Sequence, residues 1–145
     1  EEIMPDPTLL THINYAFGHI RSDFENFDIK TPSRLKKVVE LKKENPNLKV
    51  LLSIGGWEAG NFSEMAADPV HRVNFAKNCL AAVEKYDLDG IDIDWEYPSS
   101  SSAGISSNRD SVPGFSEDVV CSSRLMSRYV LANISILWLF SGFIR

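Results

Sequence analysis

Apolar residues along the first 96 positions alternate between short continuous runs and longer stretches of helical spacing. The runs at residues 12–17, 49–54 and 90–95 are rich in β-branched, leucine or aromatic side chains, which favours strands. The two stretches between them begin with Thr31-Pro32-Ser33 and with Asp68-Pro69, which are typical helix starts. The order strand, helix, strand, helix, strand predicts βα units and a parallel sheet.

The ends and buried faces of these elements follow from local residue types. We expect the first strand to end at Gly18 before a polar loop, and the first helix to end at Asn45-Pro46, because proline stops a helix. Cys79 lies within the apolar stripe of the second helix, so we expect a buried free thiol there. The residues of that predicted stripe are Val73, Ala76, Leu80 and Val83.

The chain length limits how many such units fit. A closed barrel of eight βα units takes ~250 residues, so a chain of 145 residues has room for about three to four units. After Pro98 the chain becomes serine-rich, and beyond it residues 115–128 predict a helix and residues 134–140 a strand only weakly. We therefore divide the chain into a unit at 1–110 and a segment of uncertain structure at 111–145, which a frame change or a truncation could also explain.

Charge and hydropathy indicate whether the chain binds nucleic acid or a membrane. The net charge of −5 disfavours a nucleic-acid partner. The densest basic cluster alternates with apolar residues, as on a solvated helix face, and consists of Arg34, Lys36, Lys37, Lys42 and Lys43. The apolar run at 130–144 is shorter than the ~20 residues of a membrane-spanning helix, so we expect no membrane partner. No signal-peptide pattern follows Glu1-Glu2, and two cysteines, Cys79 and Cys121, leave the redox compartment open.

The third strand carries an unusual row of acids. Its apolar and acidic residues alternate, so three carboxylates share one face and three large apolar groups share the other. An ordinary half-exposed strand would also alternate in this way. However, like charges on one face repel and carboxylates are poor strand formers, which favours a use for the group. The alternating residues are Ile91, Asp92, Ile93, Asp94, Trp95 and Glu96.

Crowded carboxylates are suited to two kinds of chemistry. A calcium loop does not fit, because the spacers are isoleucine and tryptophan, but a magnesium or manganese site on Asp92 and Asp94 stays open. Acid/base chemistry fits better, since crowded carboxylates cannot all ionise and one keeps its proton to higher pH. Such a proton suits a general acid for a glycosidic oxygen. We therefore expect no cofactor and no metal requirement.

Two motifs resemble those of one enzyme family. The segment Asp89-Gly-Ile-Asp-Ile-Asp-Trp-Glu96 matches the Asp-x-x-Asp-x-Asp-x-Glu signature of glycoside hydrolase family 18, the chitinase family, at all four acidic positions. One strand earlier, Ser53-Ile-Gly55-Gly56 matches the Ser-x-Gly-Gly motif of that family. The resemblance covers roughly residues 9–110 and implies part of a TIM (β/α)8 barrel, an α/β fold, with 1–110 as a partial catalytic domain.

The resemblance also implies roles for the acids. Glu96 would be the general acid that protonates the leaving oxygen, and Asp94 would orient the 2-acetamido group of the substrate. The carbonyl oxygen of that group would attack the anomeric carbon, a substrate-assisted route that retains configuration. Asp92 would share a proton with Asp94, Asp89 would brace the start of the strand, and Ser53 would hydrogen-bond within the cluster.

Glycines and aromatic residues complete the implied site. Gly55 and Gly56 would let the backbone pass close to the sugar. Tyr97, Phe17 and Trp57 are candidate substrate-binding residues, although each could equally pack in the core or on the rim of the barrel.

The implied substrate is chitin or N-acetylglucosamine oligosaccharides, hydrolysed at β-1,4 links, and a polymeric substrate implies an extracellular location. Elements that the second half of a family barrel would contribute cannot be assigned in this sequence. A truncated, inactive fragment that still binds chitin or N-glycans is therefore the alternative, and a fragment without function is a third hypothesis.

Overall fold

The structure is a computed structural model, and it describes residues 4–96. One four-stranded sheet forms its centre, in the order β2-β1-β3-β4. The strands are β1 (His12–Ile20), β2 (Phe27–Ile29), β3 (Lys49–Gly55) and β4 (Gly90–Asp94), and the α-helices are α1 (Pro32–Glu40), α2 (Phe62–Ala67) and α3 (Pro69–Tyr86). Tyr97, Cys121, the weak predictions at 115–128 and 134–140, the apolar run at 130–144 and the segment 111–145 all lie outside the described residues.

Strand β3 lies inside the sheet, where its nearly continuous apolar run places it. Every residue of β3 after Lys49 is buried, since the strand has a paired neighbour on each side in the sheet. It pairs in parallel with β1 on one side and with β4 on the other. The predicted parallel βα units are therefore confirmed. Turns of 3-10 helix precede β1 at Pro7–Leu9 and follow α1 at Leu41–Lys43.

Strand β1 differs from the sequence prediction at its end. It does not stop at Gly18 but continues to Ile20 and turns back into β2, a short antiparallel strand that the sequence did not predict. The pairing with β3 shifts between Ala16 and Gly18, so Phe17 is an extra residue in a β-bulge. The Ala16–Phe17 peptide bond is cis. Gly18 continues the strand because its missing side chain leaves room for the core: a Cβ there would lie 3.3 Å from Ile54.

The helices pack on one face of the sheet, and their starts were predicted with mixed success. Asp68 caps α3 as expected, since its carboxylate accepts hydrogen bonds from the backbone N–H groups of Val70 and His71. Thr31 lies at the start of α1 but makes no capping bond, because its hydroxyl instead meets the hydroxyl of Tyr15 at 2.5 Å. Helix α2 was not predicted, since six residues are too few to show a period.

The buried face of α3 is rotated from the predicted stripe. Phe75, Cys79 and Ala82 are its buried residues, whereas Val73 is 39% exposed. The large Phe75 ring faces the sheet and meets Phe27 edge-to-face, and that contact turns Val73 towards solvent. Cys79 is a free, fully buried thiol as predicted, and burial raises its pKa. Among the described residues, the helices are too short or too polar to cross a membrane.

Candidate active site

The acid row lies where the sheet register brings two motifs together. In register, Ser53 of β3 faces Asp92 of β4, and Gly55 faces Asp94. On the other face of β4, Ile91 is buried in the core and Ile93 and Trp95 pack against that core. The predicted separation of carboxylates from apolar groups is therefore present in the strand, with the acids on the face away from the helices.

Burial orders the acids along the strand. Asp92 lies deepest and is 8% exposed, and its carboxylate accepts a hydrogen bond from the Ser53 hydroxyl at 2.7 Å. Asp94 and Glu96 lie nearer to solvent and are half-buried. A buried carboxylate needs a donor, so the serine of the first motif serves the second motif directly. The two motifs are one structural unit although 39 residues separate the bonded pair.

The acids also influence one another electrostatically. Burial raises the pKa of Asp94 above its ordinary value, and the negative charges of Glu96 and Asp92 raise it further. The row is therefore a place where a carboxyl group keeps its proton to higher pH. Among residues 4–96, no group of three or more histidine, cysteine or acidic side chains is placed to hold a metal ion.

Two glycines fit the backbone of β3 closely against its neighbours. A Cβ on Gly55 would lie 2.0 Å from the carbonyl oxygen of Asp94, and the φ of +129° at Gly55 also favours glycine. The N–H of Gly56 donates to the same Asp94 oxygen at 2.9 Å. A Cβ on Gly56 would lie 3.1 Å from the ring of Phe17. Because neither glycine has a side chain, β4 and the Phe17 ring can pack closely against the end of β3.

The candidate aromatic residues differ in their surroundings. Phe17 is half-buried against Gly56, and its ring meets His19 edge-to-face with centroids 6.4 Å apart. Trp57 is 58% exposed and follows the glycines at the same end of the sheet. Trp95 is turned to the other face and stacks on Phe62 with centroids 5.3 Å apart. Phe17 and Trp57 therefore lie at the end of the sheet that carries the acids.

Asp89 lies at the opposite end of β4. Its carboxylate accepts a hydrogen bond from the backbone N–H of Val50 at 2.9 Å and from Lys49 at 3.1 Å, and Lys42 lies 2.8 Å away. Burial would raise its pKa, but the bonds from Lys42, Val50 and Lys49 outweigh burial and hold the pKa below its ordinary value. Sequence reasoning placed Lys42 on a solvated helix face. Nothing local in the sequence pairs it with an acid 47 positions later.

Carboxylates at the carboxyl end of a parallel strand, on a sheet covered by helices, are typical of enzymes built on βα-barrels, whose active sites form at that end. An acid row of this kind suits glycoside hydrolysis within that class. The family model of the glycosyl hydrolases family 18 matches residues 1–129, and the chain belongs to that family.

Similar proteins agree with this assignment. Chitinase B of Serratia marcescens is 36% identical over an alignment of 103 residues, and the match covers 61% of this chain and 21% of that protein. The chitinase domain of the spore coat protein CotE from Clostridium difficile is 39% identical with a TM-score of 0.78, over 87% of this chain and 35% of that one. The Ostrinia furnacalis Group IV chitinase, solved in complex with allosamidin, is 34% identical with a TM-score of 0.71, over 86% and 35%.

The chain thus spans about a third of the length of these solved chitinases and about a fifth of Chitinase B. The predicted α/β fold of the TIM-barrel type is confirmed, and the four strands described form part of a barrel that they do not close. The family match extends past residue 110, and the division of the chain at that residue stays a prediction.

Proposed function

We propose that this chain carries the catalytic acid strand of a chitinase-type glycosidase that cleaves β-1,4-linked N-acetylglucosamine polymers with retention of configuration. The observation that carries the proposal is the pair Asp92 and Asp94 on one face of β4, with Glu96 two residues beyond the strand and close enough to act on Asp94 electrostatically. The raised pKa of Asp94 supports it, because a carboxyl that holds a proton near a second carboxylate is what acid catalysis and proton sharing need.

In this proposal Glu96 is the general acid. It lies past the end of the strand, half-buried, where a glycosidic oxygen can approach from the open side of the sheet. Its proton passes to the leaving oxygen as the bond between that oxygen and the anomeric carbon breaks. In the second step the ionised Glu96 takes a proton from the attacking water, so the acid is restored.

Asp94 and Asp92 handle the acetamido group. The carbonyl oxygen of that group bonds to the anomeric carbon as the leaving group departs, and its N–H becomes acidic as positive charge develops. Asp94 accepts a hydrogen bond from that N–H, orients the group and stabilises the charge. Asp92, held by Ser53, shares the proton of Asp94 and lets Asp94 turn towards the sugar. No metal ion has a part in these steps.

The test is hydrolysis of N-acetylglucosamine oligomers by the chain and by Glu96→Gln. We expect the substitution to abolish turnover while binding remains, because the amide keeps the shape of the side chain and cannot donate the proton. Glu84→Gln, on an exposed helical position, is the matched control and should hydrolyse like the unaltered chain. Equal turnover in both variants would exclude Glu96 as the acid.

A second candidate is a chain that binds chitin or N-glycans without turnover. The chain spans about a third of the solved chitinases it resembles, so turnover that depends on the other two thirds of such a protein would be absent from this chain alone. A cooperative thermal melt whose midpoint rises with chito-oligosaccharide, without hydrolysis by the unaltered chain, favours this candidate. We propose an extracellular location for either activity, because polymeric chitin lies outside the cell.

A further inference from the structure

The open face of β1 presents a histidine towards the cleft. His19 is exposed, and among the described residues no side chain or backbone group bonds either ring nitrogen. Its ring meets that of Phe17 in a T-shaped contact with the centroids 6.4 Å apart. The His19 ring is thus in contact with an aromatic neighbour, and its exposed side chain is accessible to a ligand.

The bulge at Phe17 decides which face this histidine occupies. Before the bulge, Tyr15 is buried on the helix side in register with Leu52. Simple alternation from Tyr15 would place residue 19 on the helix side as well. The extra residue reverses the alternation: Gly18 faces the core against Ile54, and His19 faces the side of the sheet that carries the acids. Bulges next to active sites re-aim side chains in this way.

The register fixes the distance from His19 to the acids. Gly18 pairs with Ile54, and Ile54 pairs with Ile93, so the next residue along each strand brings His19, Gly55 and Asp94 to one level. Two strand spacings of ~4.8 Å separate the backbones of β1 and β4, which gives about 10 Å. Gly55 between them has no side chain, so nothing on β3 blocks the space at that level.

We propose that His19 is a substrate-contacting residue of the cleft, which hydrogen-bonds a sugar residue next to the one held over Asp94. This inference rests on the proposed function, because it needs an oligosaccharide that runs across the sheet from β4 to β1. An imidazole offers one donor and one acceptor, and both can serve hydroxyl groups of a pyranose. The Phe17 ring beside it provides an apolar surface for the same sugar.

The charged groups near His19 leave the ring free for this role. Asp28 is the cross-strand partner of His19 on β2, but its carboxylate is engaged by Arg21. The carboxylate of this cross-strand neighbour is thus already paired with Arg21.

Proton NMR of the histidine rings tests the proposal with chitotetraose as the probe. The chain has three histidines, and two of them are internal controls: His12 is exposed at the other end of β1, and His71 lies on α3 across the sheet. We expect the ring signals of His19 to shift on titration and those of the other two to stay. A shift at His12 or His71 in place of His19 would overturn the inference.

Affinity measurements complete the test. By calorimetry, His19→Ala should bind chitotetraose roughly fivefold more weakly, the size of one lost neutral hydrogen bond, and His12→Ala should bind normally. His19→Phe keeps the contact with Phe17 and should be as weak as His19→Ala, whereas His19→Gln should recover part of the loss. A structural role would not separate Phe from Gln in this way.

The outcomes distinguish the inference from the function on which it rests. Unchanged affinity in His19→Ala and His19→Phe, with chitotetraose bound by every variant, contradicts the inference and leaves the proposed function standing. Failure of the unaltered chain itself to bind chitotetraose contradicts both.

Discussion

The two ends of β4 carry acids in opposite electrostatic situations. At the amino end, Asp89 is surrounded by donors from Lys42, Lys49 and the backbone of Val50, and its pKa lies below the ordinary value. At the carboxyl end, Asp94 lies among other acids, and burial with their charges raises its pKa. Within six positions of the chain, the same type of side chain serves once to stabilise the fold and once in the acid row of the proposed active site.

The difference shows what each end contributes to the other. The amino end fixes the register of β3 against β4, since the Asp89 carboxylate bonds the backbone of Val50. The carboxyl end depends on that register, because only in it does the Ser53 hydroxyl meet Asp92. The bonds of Asp89 at the amino end thus offset the repulsion among the acids at the carboxyl end. Active sites commonly cost a protein stability that the rest of the fold supplies.

Gly55→Ala should have the largest effect on the packing of β4 against β3. The new Cβ would overlap the Asp94 carbonyl and occupy an unfavourable φ, so we expect a loss of roughly 3 kcal/mol or more in the free energy of unfolding. Urea denaturation measures it. Gly60→Ala is the matched control, since a Cβ there meets nothing within 4 Å. A Gly55→Ala chain as stable as Gly60→Ala would show that β4 does not pack against Gly55 as described.

Asp89→Asn tests the amino end. The amide keeps the shape but loses the charge that Lys42 and Lys49 face, so we expect a loss of about 2 kcal/mol, the range for hydrogen bonds to charged groups. The loss should shrink in acid, because a lowered pKa gives stability that is present above the unfolded pKa and disappears as pH falls through the folded one. Asp87→Asn, at an 86% exposed side chain, is the control and should change little.

Ser53→Ala tests the contact that joins the two motifs. It removes the hydroxyl that donates to the buried Asp92, so we expect a loss of about 1 to 2 kcal/mol in the free energy of unfolding, measured by urea denaturation. Ser33→Ala, at an exposed helical position, should have a smaller effect. Equal effects would mean that the Ser53 bond contributes no more than a surface hydroxyl.

Asp94→Asn should have the smallest effect on stability. Unlike the other substitutions, it should stabilise the folded chain. The pKa of Asp94 is raised above 3.8 in the folded chain, so ionisation costs stability. That cost is absent below the unfolded pKa and appears as pH rises through the folded pKa. The variant should therefore melt slightly higher than the unaltered chain at pH 7 and equally at pH 3. A variant that melts lower at pH 7 would contradict the crowding at this end.

Much of the fold could be read from local pattern, and its failures have physical causes. The apolar run of β3 and the capping Asp68 are local signals, and the structure confirms the elements they predict. Gly18 misled the prediction because a glycine can end a strand or let one pass close to a packed core, and only the neighbouring Ile54 decides between these. The buried face of α3 likewise depends on whether Phe75 or Val73 packs against the sheet, and Phe75 does.

The candidate site divides in the same way. The sequence by itself determined the acid row and its face, because alternation along one strand is a local property of the backbone. It did not determine that Ser53 bonds Asp92, that Lys42 holds Asp89, or that a bulge turns His19 towards the acids. Only the tertiary structure decided these, because each depends on the register between strands or helices that lie far apart in the chain and meet only after folding.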